Sequence, residues 1–134
     1  MPPSTPGETD LARLLASLSP ALDPAPHGFA LTDTPPAIPF AALVAEAEGL
    51  TVIAPQTALA AAGLPPGEPW ARITLQVHSS LAAVGLTAAV STALARAGIP
   101  ANMIAGLHHD HLFVPWERRT EALAILQRLG QPKD

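Results

Sequence analysis

The side chains best suited to chemistry in this chain are its histidines, and they cluster. Of the five, His78 stands in QVHSS (76–80), and His108, His109 and His111 stand in LHHDHLF (107–113). With His109-Asp110 as a two-residue turn, His108 and His111 face each other across a hairpin, with Cβ atoms about 5 Å apart. His78 ends the preceding strand, on the face that also carries Thr74 and Gln76. Imidazoles and the Asp110 carboxylate at such spacing suit zinc or another divalent cation, with His78, His108 and His111 as the ligand set. The plainer reading is a turn whose Asp and imidazoles bond backbone groups. No HExxH pairing occurs and no firm third and fourth ligand is visible, so the metal reading stands behind it.

Catalysis finds less support. No GxSxG elbow surrounds a serine, and Asp110 beside His109 is a neighbour in sequence, which does not make a triad. Neither GxGxxG nor GxxxxGK[ST] occurs, so no motif asks for a nucleotide or another cofactor. Glu46 and Glu48 share one face of a strand before Gly49 and read as a solvated edge. The chain is expected not to be an enzyme. Holding a small molecule is a different matter. Gly85 sits near a helix start, where free backbone N–H groups can receive a carboxylate, and Ser79 and Ser80 add hydroxyls. The plain alternative is an ordinary N-cap with a glycine kept for close packing. Asn102 and the strand it opens can offer main-chain groups to a ligand or to a neighbouring strand. Equally, Asn102 can serve only the turn after Pro100.

The elements that must hold these residues are clearest in the second half. Residues 72–78 alternate, with Ile73, Leu75 and Val77 on one face, which predicts a half-buried strand. A helix follows from about Leu81 or Gly85 to Ala97, stopped by Gly98 and Pro100. Residues 102–107 and 112–114 read as strands. Pro115 starts a last helix to about Leu129, with Ala122, Ile125, Leu126 and Leu129 inward and Trp116 as a packing anchor. That order is an α+β, ferredoxin-like βαββαβ unit lacking its last strand. The missing strand is expected from the N-terminal half or from a second chain. Ile104, Gly106 and Phe113 are left on the open sheet face, which calls for a partner.

In the first half, Thr9 or Asp10 caps a short helix carrying Leu11, Leu14, Leu15 and Leu18, ended by Pro20 and Pro24. Residues 28–32 suit a strand, and 33–39 a proline-rich connection. Residues 40–55 suit two strands around Gly49, and 56–62 a helix stopped by Gly63. The sixteen prolines gather in 2–39 and 55–69, and PPGEP (65–69) marks the internal boundary. The expected layout is a tail at 1–8, units at 9–64 and 70–130, a linker at 65–69 and a tail at 131–134.

The totals exclude some partners. The chain has 134 residues, 49% of them apolar, a formal net charge of -4 and only seven Lys and Arg. No basic patch is available for phosphate backbones or an anionic membrane surface, so neither nucleic acid nor membrane is expected as a partner. Without cysteine there is no disulfide, thiolate metal site or thiol nucleophile. The first residues have no basic and apolar leader pattern, and a cytoplasmic location is expected. Residues 73–95 carry no formal charge, but their polar residues and change of period suit two packed elements better than one membrane span.

Residues 72–118, RITLQVHSSLAAVGLTAAVSTALARAGIPANMIAGLHHDHLFVPWER, resemble a family of small bacterial ACT-domain proteins. The carriers are the ITLQVHSSLAAVGL opening, the AGI turn and the HDHLFVPW hairpin, with LLASLSPALDP (14–24) and EAEGLTVIAP (46–55) in support. One departure is Leu107, where such relatives often have Tyr. The resemblance implies two ACT-like units in tandem with antiparallel sheets, similar to those of aspartate kinases and the CASTOR arginine sensors. It implies a regulatory protein that binds a small molecule, an amino acid, where units meet, and a homo-oligomer, first of all a dimer. The ligand residues it implies are Ser79, Ser80, Val84, Gly85, Leu86, Asn102, Met103 and Ile104. A protein–protein adaptor that has lost its ligand is the alternative.

Overall fold

The computed structural model describes residues 9–131. The tail expected at 1–8, and the expected 131–134 tail beyond Gln131, lie outside the described residues. In chain order the elements are α1 (Leu11–Ala16), β1 (Pro20–Leu22), β2 (His27–Thr32), β3 (Ala42–Glu46), β4 (Gly49–Pro55) and α2 (Gln56–Ala61). There follow β5 (Trp70–Leu75), α3 (Leu86–Arg96), β6 (Asn102–Ala105), β7 (Asp110–Pro115), a 3-10 turn (Trp116–Arg118) and α4 (Arg119–Leu129). No helix among the described residues is long and apolar enough to cross a membrane.

The chain forms two compact units. Residues 23–72 make a central unit, and the segments up to Leu22 and from Ile73 onward make a split unit, so the boundary falls inside β5. This division is interleaved, whereas the sequence reading divides the chain sequentially.

The split unit has the strand order β1-β5-β7-β6. Its fourth strand is β1, drawn from the N-terminal half and antiparallel to β5, with Pro20 opposite Leu75 and Leu22 opposite Ile73. The sequence predicts a helix ended by Pro20 and no strand there. A three-residue edge strand opening with proline escapes the alternation test, and the edge is where a residue without an N–H is tolerated. The helices α3 and α4 pack together, α1 packs on α3, and α4 packs on β1 and β7. Leu86, Val90 and Leu94 of α3, Ala122 and Leu126 of α4, and Leu14 of α1 are all buried, as are Ile73, Leu75, Leu112 and Val114 on the strands. The four-residue spacing along α3 sets its buried side chains on one stripe.

The β6–β7 hairpin departs from the expected register. Its loop is residues 106–109, closed by the Gly106 N–H donating to the His109 carbonyl at 2.9 Å. Ile104 therefore stands opposite His111, and Asn102 opposite Phe113. A two-residue turn would set Met103 against Trp116, which already belongs to the helical turn after Pro115. Phe113, expected on an open face, is fully buried.

In the central unit, β3-β4-β2 form an antiparallel sheet that Trp70 of β5 extends opposite His27. Ala30, Val52, Ala54 and Leu59 form its core, with Ile38, Leu43 and Leu64 packed against it. The passage from β2 to β3 holds no helix. Pro35, Pro36 and Pro39 lie in it, and each removes a backbone donor that a helix would use. Gly28 is required by close approach, since a Cβ there would lie 2.2 Å from the Pro66 carbonyl oxygen. The PPGEP segment thus crosses directly over β2. Glu46 accepts a hydrogen bond from Thr51 and both it and Glu48 are exposed, the solvated edge expected of them.

Candidate functional site

The site lies in the split unit, where β5 gives way to α3. Residues 76–85 make this passage. Ser80 organises it, its hydroxyl accepting from the Ala82 N–H and its carbonyl from the Ala83 N–H, each at 3.0 Å. The N-cap of α3 is Gly85, held at φ +98°, a left-handed conformation that disfavours a side chain. No side chain caps α3. The first-turn N–H groups of a helix point outward without an intrahelical acceptor, and the helix dipole adds about half a positive charge there.

Beside this helix start lies a recess of about 70 Å³ lined by Ser79, Ser80, Leu86, Thr87, Ala105 and Asp110, with Leu81 and Ala83. Ser79 is buried, and its hydroxyl points to the Asp110 carboxylate at 3.5 Å. The recess therefore joins a donor end at the start of α3 to an acceptor end at Asp110.

Of the residues named from the sequence, Ser79, Ser80 and Leu86 come together here. Val84 does not: it is 84% exposed. Gly85 faces elsewhere, with Leu11 as its nearest neighbour. Asn102, Met103 and Ile104 form most of β6 but leave the recess wall to Ala105. The sequence points to Asp110 as a turn residue or metal ligand and gives no support for it in a triad, and it is not among the ligand residues named there. Its alignment with Ser79 depends on the hairpin register.

The metal set is not assembled. His78 and His108 meet edge to face with ring centres 5.4 Å apart. His111 Nδ1 shares a 2.9 Å hydrogen bond with Thr74 Oγ1, and His109 Nδ1 donates to the Val77 carbonyl at 3.4 Å. The observed register takes His108 out of the strand and away from the position opposite His111. Among the described residues no group of three or more His, Asp or Glu could hold a metal ion.

The histidine that sequence reasoning passed over is His27, fully buried in the central unit. Its Nδ1–H donates to the Ala25 carbonyl at 2.9 Å. Burial lowers its pKa below the ordinary value, with Arg72 acting the same way and the Ala25 bond and Asp23 opposing.

Two models of the ACT domain match the chain in tandem, one over residues 6–71 and one over 68–128. No curated protein matches. Among solved structures, a Vibrio cholerae protein of unknown function, described as a possible transport protein, is 40% identical. That alignment covers 90% of this chain and 96% of the other, with a TM-score of 0.77. The ligand-free regulatory subunit of aspartate kinase from Thermus thermophilus is 15% identical over 87% of this chain and 99% of its own, with a TM-score of 0.64. An Agrobacterium tumefaciens protein is 19% identical over 79% and 84%, with a TM-score of 0.60. At such low identity the last two likenesses speak for the fold alone. The tandem matches and the ferredoxin-like strand order agree, and the chain belongs to the ACT-domain family of regulatory, ligand-binding modules.

Proposed function

We propose that this protein is a non-enzymatic, cytoplasmic bacterial sensor whose ligand is an amino acid. The observation that carries this reading is the recess that joins the uncapped start of α3 to Asp110. An α-amino acid presents a carboxylate and an ammonium a few atoms apart. The carboxylate suits the first-turn amides of α3 and the Ser79 and Ser80 hydroxyls. The ammonium suits Asp110. At about 70 Å³ the recess takes the head group and leaves the side chain outside. In this reading a second copy of the chain closes over the ligand, and exposed Val84 and the Asn102, Met103 and Ile104 edge form the surrounding surface. Binding shifts the dimer equilibrium only by the ligand's differential affinity for the two states.

The test is thermal unfolding with each of the twenty amino acids at millimolar concentration. One amino acid, or a small related set, should raise Tm, since a ligand at a hundred times its Kd adds about 2.7 kcal/mol. Asp110→Asn should abolish the response while leaving the Tm of the unliganded protein nearly unchanged. If none of the twenty stabilises the protein, the amino-acid reading fails. A dimer indifferent to all of them would mark an adaptor.

A further inference from the structure

At about 70 Å³ the recess between Ser79 and Asp110 leaves a ligand's side chain at its mouth, so the mouth decides which side chain is accepted. Two loops form that mouth. One is the passage 76–85, which supplies Ser79, Ser80, Leu81 and Ala83 to the lining. The other is the hairpin loop 106–109, whose flanking residues Ala105 and Asp110 both line the recess. The loops are tied together where the His78 ring meets the His108 ring and where His109 Nδ1 donates to the Val77 carbonyl.

Among the described residues the three most exposed large apolar side chains all stand on these two loops: Val84 at 84%, Leu107 at 69% and Leu81 at 67%. Side chains so exposed add little to the core, and an apolar group laid over them gains by leaving water. The polar groups are placed differently. Asp110 is the charged residue of the described lining, and its hydroxyls are those of Ser79, Ser80 and Thr87. Ser79 points to Asp110, and Thr87 stands in the first turn of α3, so these groups serve the ammonium and carboxylate ends of a head group. Among the described residues no lysine or arginine lines the recess to receive an acidic side chain, and no second carboxylate lines it to receive a basic one. The nearby imidazoles are turned to one another, to Val77 or to Thr74.

We propose that this site selects an amino acid with an aliphatic side chain, and that Leu81 and Leu107 set the preference. The inference rests on the amino-acid reading of the recess and names its ligand class. Charge and hydrogen bonds hold the head group, which every amino acid shares, so discrimination falls to the mouth, where the chain offers apolar contact. A charged or amide side chain covered there would lose water without gaining a partner.

The experiment is calorimetric titration of the whole protein with alanine, 2-aminobutyrate, norvaline and norleucine. Affinity should rise along the series by about twofold for each methylene at a half-open mouth, against about fourfold for full burial. Threonine should bind more weakly than valine, and lysine and glutamate more weakly than norleucine. Leu81→Ser and Leu107→Ser alter exposed side chains, so the variants should fold with little change in Tm and should flatten the series, most of all in the double variant. Asp110→Asn should instead weaken every member alike. A flat series in the unaltered protein, tighter binding of lysine or glutamate than of norleucine, or an undiminished slope in the double variant would overturn the preference and leave the amino-acid reading standing. If none of the twenty amino acids and none of the series binds, the amino-acid reading itself fails and this inference falls with it.

Discussion

In the split unit the chain leaves β5, turns through residues 76–85 and enters α3. In the central unit the equivalent passage, from β2 to β3, is the proline-bearing segment 33–41 with no helix. The two units otherwise share the ferredoxin-like arrangement. Each also ends a helix in the same way: Ala-Gly-Leu-Pro at 62–65 and Ala-Gly-Ile-Pro at 97–100. In both, the residue after the glycine returns its N–H to the carbonyl five residues back, Leu64 to Leu59 and Ile99 to Leu94, the double closure of a Schellman motif. What differs is the availability of a helix start. The central unit has a cleft by its proline segment, lined by Thr32, Thr34, Pro36, Ala37, Ile38 and Leu64 with Ala61 and Ala62, and none of these carries charge. A fold repeated in tandem thus keeps its framework twice, and in the described residues only the second copy follows its first strand with a helix start. Charge divides in the same sense. The central unit sets Arg72 against Asp23, Asp33, Glu46, Glu48 and Glu68, while the other arginines belong to the split unit.

The strongest way to break this comparison is Gly28→Ala. The added Cβ meets backbone, which cannot swing aside, so a loss of about 3 kcal/mol or more is expected. Hydrogen exchange should rise first in β2, β4 and α2. Equal loss of protection in α3 and α4 would mean that the two units have no separate energetic identity. Leu94→Ala is the counterpart in the split unit. Removing a fully buried side chain there should cost about 3 kcal/mol in denaturant titration and should raise exchange first in α3 and α4.

A smaller effect comes from His27. Its folded pKa lies below 6.5, so the unfolded chain takes up the proton first as pH falls. Stability is complete above 6.5 and declines as pH drops from there toward the folded pKa. His27→Gln should flatten that decline in Tm between neutral and mildly acid pH, and an unchanged slope would assign it to other groups. The smallest effect is at α1, whose N-cap Asp10 accepts from the Arg13 N–H at 3.0 Å. Asp10→Ala should cost about 1 kcal/mol by thermal unfolding. Placing Asp at Gly85 is no equivalent gain for α3, because the left-handed φ there disfavours any side chain.

Much of the framework is legible in the residues themselves. Ile73 and Leu75 alternate with polar neighbours and form β5. Gly49 marks the hairpin, and Gly63 and Gly98 mark helix ends. The absence of catalytic motifs is equally direct. Each of these depends on neighbours within a few positions, because backbone dihedrals and side-chain periodicity are local properties. Part of the candidate site is legible in the same way: Ser79, Ser80 and Leu86 lie between a strand and the start of a helix.

The rest was decided by contacts between distant parts of the chain. Nothing near Pro20 says that it begins a strand, since the reason is the open edge of β5 more than fifty residues later. Nothing in LHHDHLF selects a four-residue loop over a two-residue one. Both keep the same residues on the same faces, and the choice is made by what Pro115 and Trp116 must do next. That choice dispersed the histidines named as metal ligands. It also left Asp110, rather than Asn102, Met103 or Ile104, beside Ser79 at the start of α3.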